Sequence, residues 1–189
     1  MASLTVVYDA CVLYPAPLRD FLMQLALTDL FRAKWTQKIH DEWKRKLLEN
    51  RPDLTQRQLD RTQELMDKHV RDCLVTDYEE LVPSIHLPDD HDRHVVAAAI
   101  VAGAATIVTF NLKDFPATEL SKYDLEAEHP DDFLVHQFGR SESLVCRAAR
   151  NHRASLKRPA KTPDEYLTTL DAQGLPRTVA QLRPFAELI

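Results

Sequence analysis

Acidic and amide side chains follow two apolar, β-branched runs of this chain. Asp9 comes directly after residues 4–8, and Asn111-Leu112-Lys113-Asp114 directly after residues 105–110. Ligands of open parallel α/β sheets bind outside the carboxyl ends of the strands, so both places are candidate site positions. Two further acids fall on helical stretches: Glu42 within residues 37–48, and Asp92 in the first turn after the start signal Pro88-Asp89-Asp90. Each acid alone has a plainer reading, as a turn or cap residue, a water-facing helix glutamate, or a carboxylate complementing a helix dipole. Gathered in one pocket they repel one another, and a hard divalent cation with oxygen ligands relieves that repulsion.

Other chemistries lack their parts. His91 and His94 flank Asp92 at i, i+3 spacing, but no second His or Cys cluster completes a zinc or iron site, so structural or substrate-contact roles are expected for both. Cys11, Cys73 and Cys146 are odd in number and lack C-x-x-C spacing, and are read as reduced, packed thiols. A phosphatase of the haloacid-dehalogenase type wants a second Asp two positions after the strand-end Asp, where this chain has Cys11. With three glycines and neither G-x-G-x-x-G nor a Walker A motif, the nucleotide-cradling loops are missing too.

The elements that must position these acids alternate between strand and helix. Pro15 and Pro17 can open a helix running through Phe31, and Ile39, Trp43 and Leu47 give residues 37–48 an apolar face. Thr55 and Gln58 stand in capping-box spacing ahead of a third helix to Val70, and residues 73–75 read as a short strand. The Ala- and Val-rich stretch 95–102 ends at Gly103, and residues 125–128 read as a weak edge strand. This pattern predicts an α/β fold with a short central parallel sheet between helix layers. Beyond Gly139 only helices are expected, with Thr162, Pro163 and Glu165 forming a cap, so the predicted division is 1–139 for the α/β domain and 140–189 for a helical extension.

Taken in order, a strand-end Asp, a helix Glu, a helix-start Asp and a strand-end T-x-N-x-x-D-F resemble the PIN-domain nucleases, in particular the toxins of VapC-type toxin–antitoxin systems. The matching stretches are V-V-Y-D-A-C-V-L at 6–13, Glu42 within H-D-E-W, D-D-H-D-R-H-V-V-A-A-A at 89–99 and I-V-T-F-N-L-K-D-F-P at 107–116. P-D-D-F-L at 130–134 looks like the end of such a domain, and residues 140–189 look similar to the helical extension of a longer toxin subgroup. The resemblance implies a three-layer PIN-like fold and a metal-dependent endoribonuclease with an RNA substrate and a cognate antitoxin; a second copy of the chain is a further partner to test. It implies Asp9, Glu42 and Asp92 as metal-site carboxylates, with Asn111 and Asp114 sharing the variable fourth position, Asp114 taking the metal duty of the neutral amide. Thr109 then orients the site or a water by hydrogen bonding. Mg²⁺ or Mn²⁺ is the implied cofactor. The competing reading is a PIN-like RNA- or partner-binding module without turnover, since many PIN proteins have Asp where Asn111 stands.

Charge is unevenly distributed. Residues 1–139 carry 15 basic and 24 acidic side chains, whereas 140–189 carry 9 and 5. An acidic body repels a phosphate backbone, so the basic stretch from Arg140 to Lys161 is expected to serve RNA or antitoxin binding. The opening residues show no basic leader and no apolar run reaches membrane-spanning length, which places the expectation in the cytoplasm with no membrane partner.

Overall fold

The computed structural model describes residues 4–189. In chain order the strands and α-helices are β1 (Thr5–Tyr8), α1 (Ala10–Leu13), α2 (Ala16–Ala26), β2 (Arg32–Lys34), α3 (Gln37–Asn50), α4 (Gln56–His69) and α5 (Arg93–Val101). There follow β3 (Thr106–Val108), α6 (Ala117–Leu120), β4 (Glu126–Glu128), α7 (Pro130–Arg140), α8 (Glu142–Ser155), α9 (Pro163–Asp171) and α10 (Pro176–Leu182). They gather into two compact units. One holds the N-terminal stretch through Tyr14 together with Phe31–His129, and the other holds Pro15–Leu30 together with Pro130–Ile189. The Gly139 boundary read from composition falls inside α7, because α7 is one continuous helix that the change in charge does not interrupt.

The first unit is built on a four-stranded, wholly parallel sheet in the order β2-β1-β3-β4. Val6, Val7 and Tyr8 of β1 and Ile107 and Val108 of β3 have no exposed surface, as expected for central strands covered on both faces. Pairing continues past the strand ends: the Asp9 N–H donates to the Val108 carbonyl at 3.1 Å and the Thr109 N–H to the Glu128 carbonyl at 3.0 Å. The strand order reverses direction at β1, so the carboxyl ends of β1 and β3 flank a topological switch point, where doubly wound sheets place their ligands. The structure adds one strand to the sequence reading and withdraws another. Residues 32–34 form the edge strand β2, whose Arg-Ala-Lys composition buries only Ala33 and so lacks an apolar signal. Residues 73–75 form a single bridge, Trp35 with Leu74, rather than a strand.

Helix α3 is fixed by polar contacts as much as by its apolar face. Thr36 caps it, accepting from the Ile39 N–H, and Ile39, Trp43 and Leu47 are buried. Asp67 on α4 accepts from the Trp35 indole at 2.8 Å and lies 2.9 Å from His40 Nε2, while the Trp43 indole reaches His40 Nδ1 at 3.0 Å. An indole only donates, so Nδ1 accepts and the His40 proton sits on Nε2, facing Asp67. Burial holds the His40 pKa below its usual value, consistent with the neutral ring this chain of contacts needs. The Thr55–Gln58 capping box opens α4 as the spacing predicts.

The second unit packs α2 with α7–α10. Helix α2 buries Leu18, Phe21, Leu22 and Leu25, and Phe21 stacks on His152 of α8. His152 Nδ1 lies 3.0 Å from the Tyr166 hydroxyl of α9. Buried Asp131 in the first turn of α7 accepts from the backbone N–H groups of Arg177 and Thr178 and from the Thr178 hydroxyl, thereby capping α10. Arg153, counted above in the basic stretch, donates to the carbonyls of Ile189 and Lys161, so it ties the chain together rather than facing a phosphate. No helix among the described residues is long and apolar enough to cross a membrane.

Candidate active site

Because β1 and β3 are neighbours that end together, Asp9 and Thr109 meet. The Thr109 hydroxyl donates to Asp9 Oδ2 at 2.7 Å and itself accepts from the Asn111 N–H at 3.0 Å. Asp9 Oδ1 accepts from the Ala10 N–H at 2.7 Å, which makes Asp9 the cap of α1 and fixes its carboxylate at the strand end. The Cys11 thiol is drawn into the same cluster, 3.1 Å from Asp9 Oδ2 and 3.3 Å from the Thr109 hydroxyl. Burial, then the charge of Asp9, push the Cys11 thiol up to about 12, so it is a protonated hydrogen-bond donor rather than a nucleophile.

Asp9, Cys11, Glu42, Asp89, Asp92 and Asn111 line one cleft of about 630 Å³ in the first unit. Five places deliver them: the end of β1, helix α1, the middle of α3, the 3₁₀ turn opening α5 with its cap Asp89, and the loop after β3. Asp92 stands at the N-cap position of α5 with no capping hydrogen bond from its side chain, and is half-buried. Burial first, and then the negative charges of Asp9, Asp89, Asp114 and Glu42, raise its pKa to about 7. Glu42 is partly balanced: its Oε1 lies 2.8 Å from Nε2 of buried His94, although the ring N–H is not aligned for a hydrogen bond. Asp114 sits in a 3₁₀ turn one step beyond Asn111; it acts on Asp92 through its charge while Asn111 reaches the cleft wall.

Sequence reasoning brought Asp9, Glu42, Asp92, Asn111 and Thr109 forward, and the structure gathers them. It also shows two contributors that reasoning missed. Cys11, read as a packed thiol, is only half-buried and joins the Asp9–Thr109 cluster; its signal was its place two residues after the strand-end Asp, on a turn tight enough to fold back. Asp89 supplies a fourth acid while its Oδ1 accepts from the His91 N–H.

The PIN-domain family matches residues 5–113, more than half of the chain. The chain belongs to that family. Within the PIN domain so defined lie Asp9, Glu42, Asp92, Thr109 and Asn111, with Asp114 one residue outside. Residues 130–184 match a second family, the VapC50 C-terminal domain. Over 92 residues the chain is 39% identical to a Mycobacterium tuberculosis protein named "Putative ribonuclease VapC50", which covers 49% of this chain and 54% of the relative. The match thus spans about half the length of that relative. No solved structure matches.

Among the described residues, no three His, Cys, Asp or Glu side chains are already drawn together around a single point. The donors nonetheless fit a hard divalent cation. Asp9, Glu42 and Asp92 turn oxygen donors to one cleft, and burial together with the neighbouring negative charges raises the Asp92 pKa to about 7, a penalty that a cation there would relieve.

Proposed function

We propose that this PIN-domain protein is a Mg²⁺- or Mn²⁺-dependent endoribonuclease of the cytoplasm and the toxin of a toxin–antitoxin pair. The observation that carries the reading is the convergence of Asp9, Glu42, Asp92 and Asn111 from four distant segments on one cleft at the switch point of a parallel sheet. Acids gathered closely enough to raise the pKa of Asp92 repel one another and weaken the folded chain, which is a reason to look for a function. The name of the mycobacterial relative supports RNA as substrate, and the match of residues 130–184 supports a toxin that pairs with an antitoxin.

In this reading Asp9, Glu42 and Asp92 hold the cation, with Asp114 adding negative charge from behind Asn111. A bound divalent ion supplies Lewis acidity at the phosphoryl oxygen and lowers the pKa of an attacking water. The protein's own groups do the rest. Thr109 and Cys11 hold Asp9 Oδ2 in one orientation. Asp92, which burial and the surrounding acids keep partly protonated, would give up that proton when a cation binds beside it, so that metal binding releases a proton. His94 braces Glu42 from inside the core. Asn111 contributes an amide where a further carboxylate would otherwise deepen the repulsion. The first unit carries this chemistry, and the C-terminal helices serve the partner.

A pool of structured RNAs incubated with wild type and with Asp9→Asn, each in Mg²⁺ and in chelator, tests the proposal. Cleavage by wild type in Mg²⁺ alone is the expected result. Equal cleavage in chelator overturns the metal role, and binding without cleavage under every condition identifies a binding module.

A further inference from the structure

The cleft that gathers the acids has a second wall of opposite sign. Lys38, Arg45 and Lys46 line it together with Glu42, all from α3. Their positions, one turn before Glu42 and one turn after it, put all four on one face of the helix. The three cations are exposed, and none forms an ion pair among the described residues. That distinguishes them from several basic side chains of the same unit, where Lys44 pairs with Asp60, Arg51 with Asp53, Arg61 with Glu64 and Arg93 with Asp90. Tyr14 lines the cleft as well, with Lys46 Nζ 5.9 Å from its ring centre.

We propose that this face of α3 is a binding track for a single strand of RNA, with Lys38 and Arg45/Lys46 holding the phosphates on either side of the one presented to Asp9, Glu42 and Asp92, and Tyr14 meeting a base. The inference rests on the nuclease reading and deepens it. Lys38 and Lys46 each stand about 6 Å of axial rise from Glu42, comparable with one nucleotide step of an extended strand. Alternation of cation, acid and cation along one helix face is what a polyanion needs if it is to lie across an acidic centre without being expelled from it. The cleft admits a strand rather than a duplex: about 630 Å³ is room for a few nucleotide units, not for an A-form helix. An aromatic ring beside unpaired cations is the combination that single-strand binding surfaces use, since every base has a face to stack. The track also removes the need for the C-terminal segment to supply all of the attraction that the acidic body lacks.

The test uses a fluorescent, 2′-O-methylated single-stranded oligonucleotide, which binds but resists cleavage, in anisotropy titrations over a salt series with the full chain. Lys38→Gln/Lys46→Gln is expected to weaken binding about tenfold at moderate salt and to flatten the slope of log affinity against log salt by about 1.4, or about 0.7 per charge removed. Arg45→Gln alone gives the smaller change in the same direction, and Arg57→Gln/Arg71→Gln, outside the cleft, gives none. A duplex of the same sequence competes poorly. Unchanged affinity and slope in both cleft variants overturn the track, while RNA cleavage by wild type then leaves the nuclease reading standing. Cleft variants that bind RNA normally but lose an acidic peptide probe also overturn it, making α3 a protein-docking face. A track that behaves as expected in a chain that cleaves nothing supports the RNA surface and removes the catalysis.

Discussion

Asp92 and Asp131 are the same residue type at the start of helices in two different units, and their surroundings are opposite. Asp131 is buried and gives its carboxylate to two backbone N–H groups and a hydroxyl. Asp92 is half-buried, faces Asp9, Asp89, Asp114 and Glu42, and is pushed up to about 7. The first is an acid the fold has used up, and the second is one the fold leaves short of positive charge. Buried acids that hold structure find donors within their own unit, and those that hold a ligand are left wanting one.

The contrast breaks most visibly in activity. Asp92→Asn is expected to abolish RNA cleavage by at least about 10³-fold while leaving the unfolding temperature in chelator unchanged or higher, because removing a like charge relieves repulsion. Asp131→Ala is expected to do the reverse: cleavage stays within a few-fold while denaturant unfolding shows a loss of about 2–3 kcal/mol, from the orphaned donors of α10. If Asp131→Ala abolished cleavage at full stability, the division between the two acids would fail. His152 sharpens the comparison from the structural side. Burial holds its pKa below 6.5, so the folded chain resists protonating it. Its contribution is whole above pH 6.5 and is lost as pH falls through the lowered folded value, so stability declines on acidification and His152→Gln flattens that decline. The smallest effect is expected from Arg147→Gln/Arg150→Gln. These two exposed arginines of α8 should change the salt slope of RNA binding less than the Lys38/Lys46 pair, and their loss is best read by partner capture.

Much of the first unit was legible because its signals are local. β1 and β3 are uninterrupted β-branched runs, Thr55–Gln58 and Thr162–Glu165 announce their helices, and Gly103 ends α5 at a φ of +59° that a side chain rarely adopts. The candidate acids were legible as an ordered set, since strand ends and helix starts can be read along the chain. What stayed hidden depends on pairing at a distance. β2 is a strand because β1 offers it an edge, Thr5 opposite Arg32, and nothing in Arg-Ala-Lys says so. The short helix α1 exists because Asp9 caps it, and it brings Cys11 back to Asp9 and Thr109. The unpaired state of Lys38, Arg45 and Lys46 is a property of their neighbours and has no sequence signature.

The chain leaves the first unit at Tyr14, builds α2 among the helices of the second, and returns at Phe31. A cut after His129 would therefore release the sheet-bearing unit only with α2 attached and parted from the other helices of its own unit. During synthesis α2, with Leu18, Phe21, Leu22 and Leu25 on its apolar side, emerges long before α8 and α9 exist to cover it. Until α8 and α9 are made, α2 remains a greasy helix without its cover, which exposes the nascent chain to chaperones and aggregation. A product that stops before α8 thus carries the acids of the cleft without the helices that surround α2.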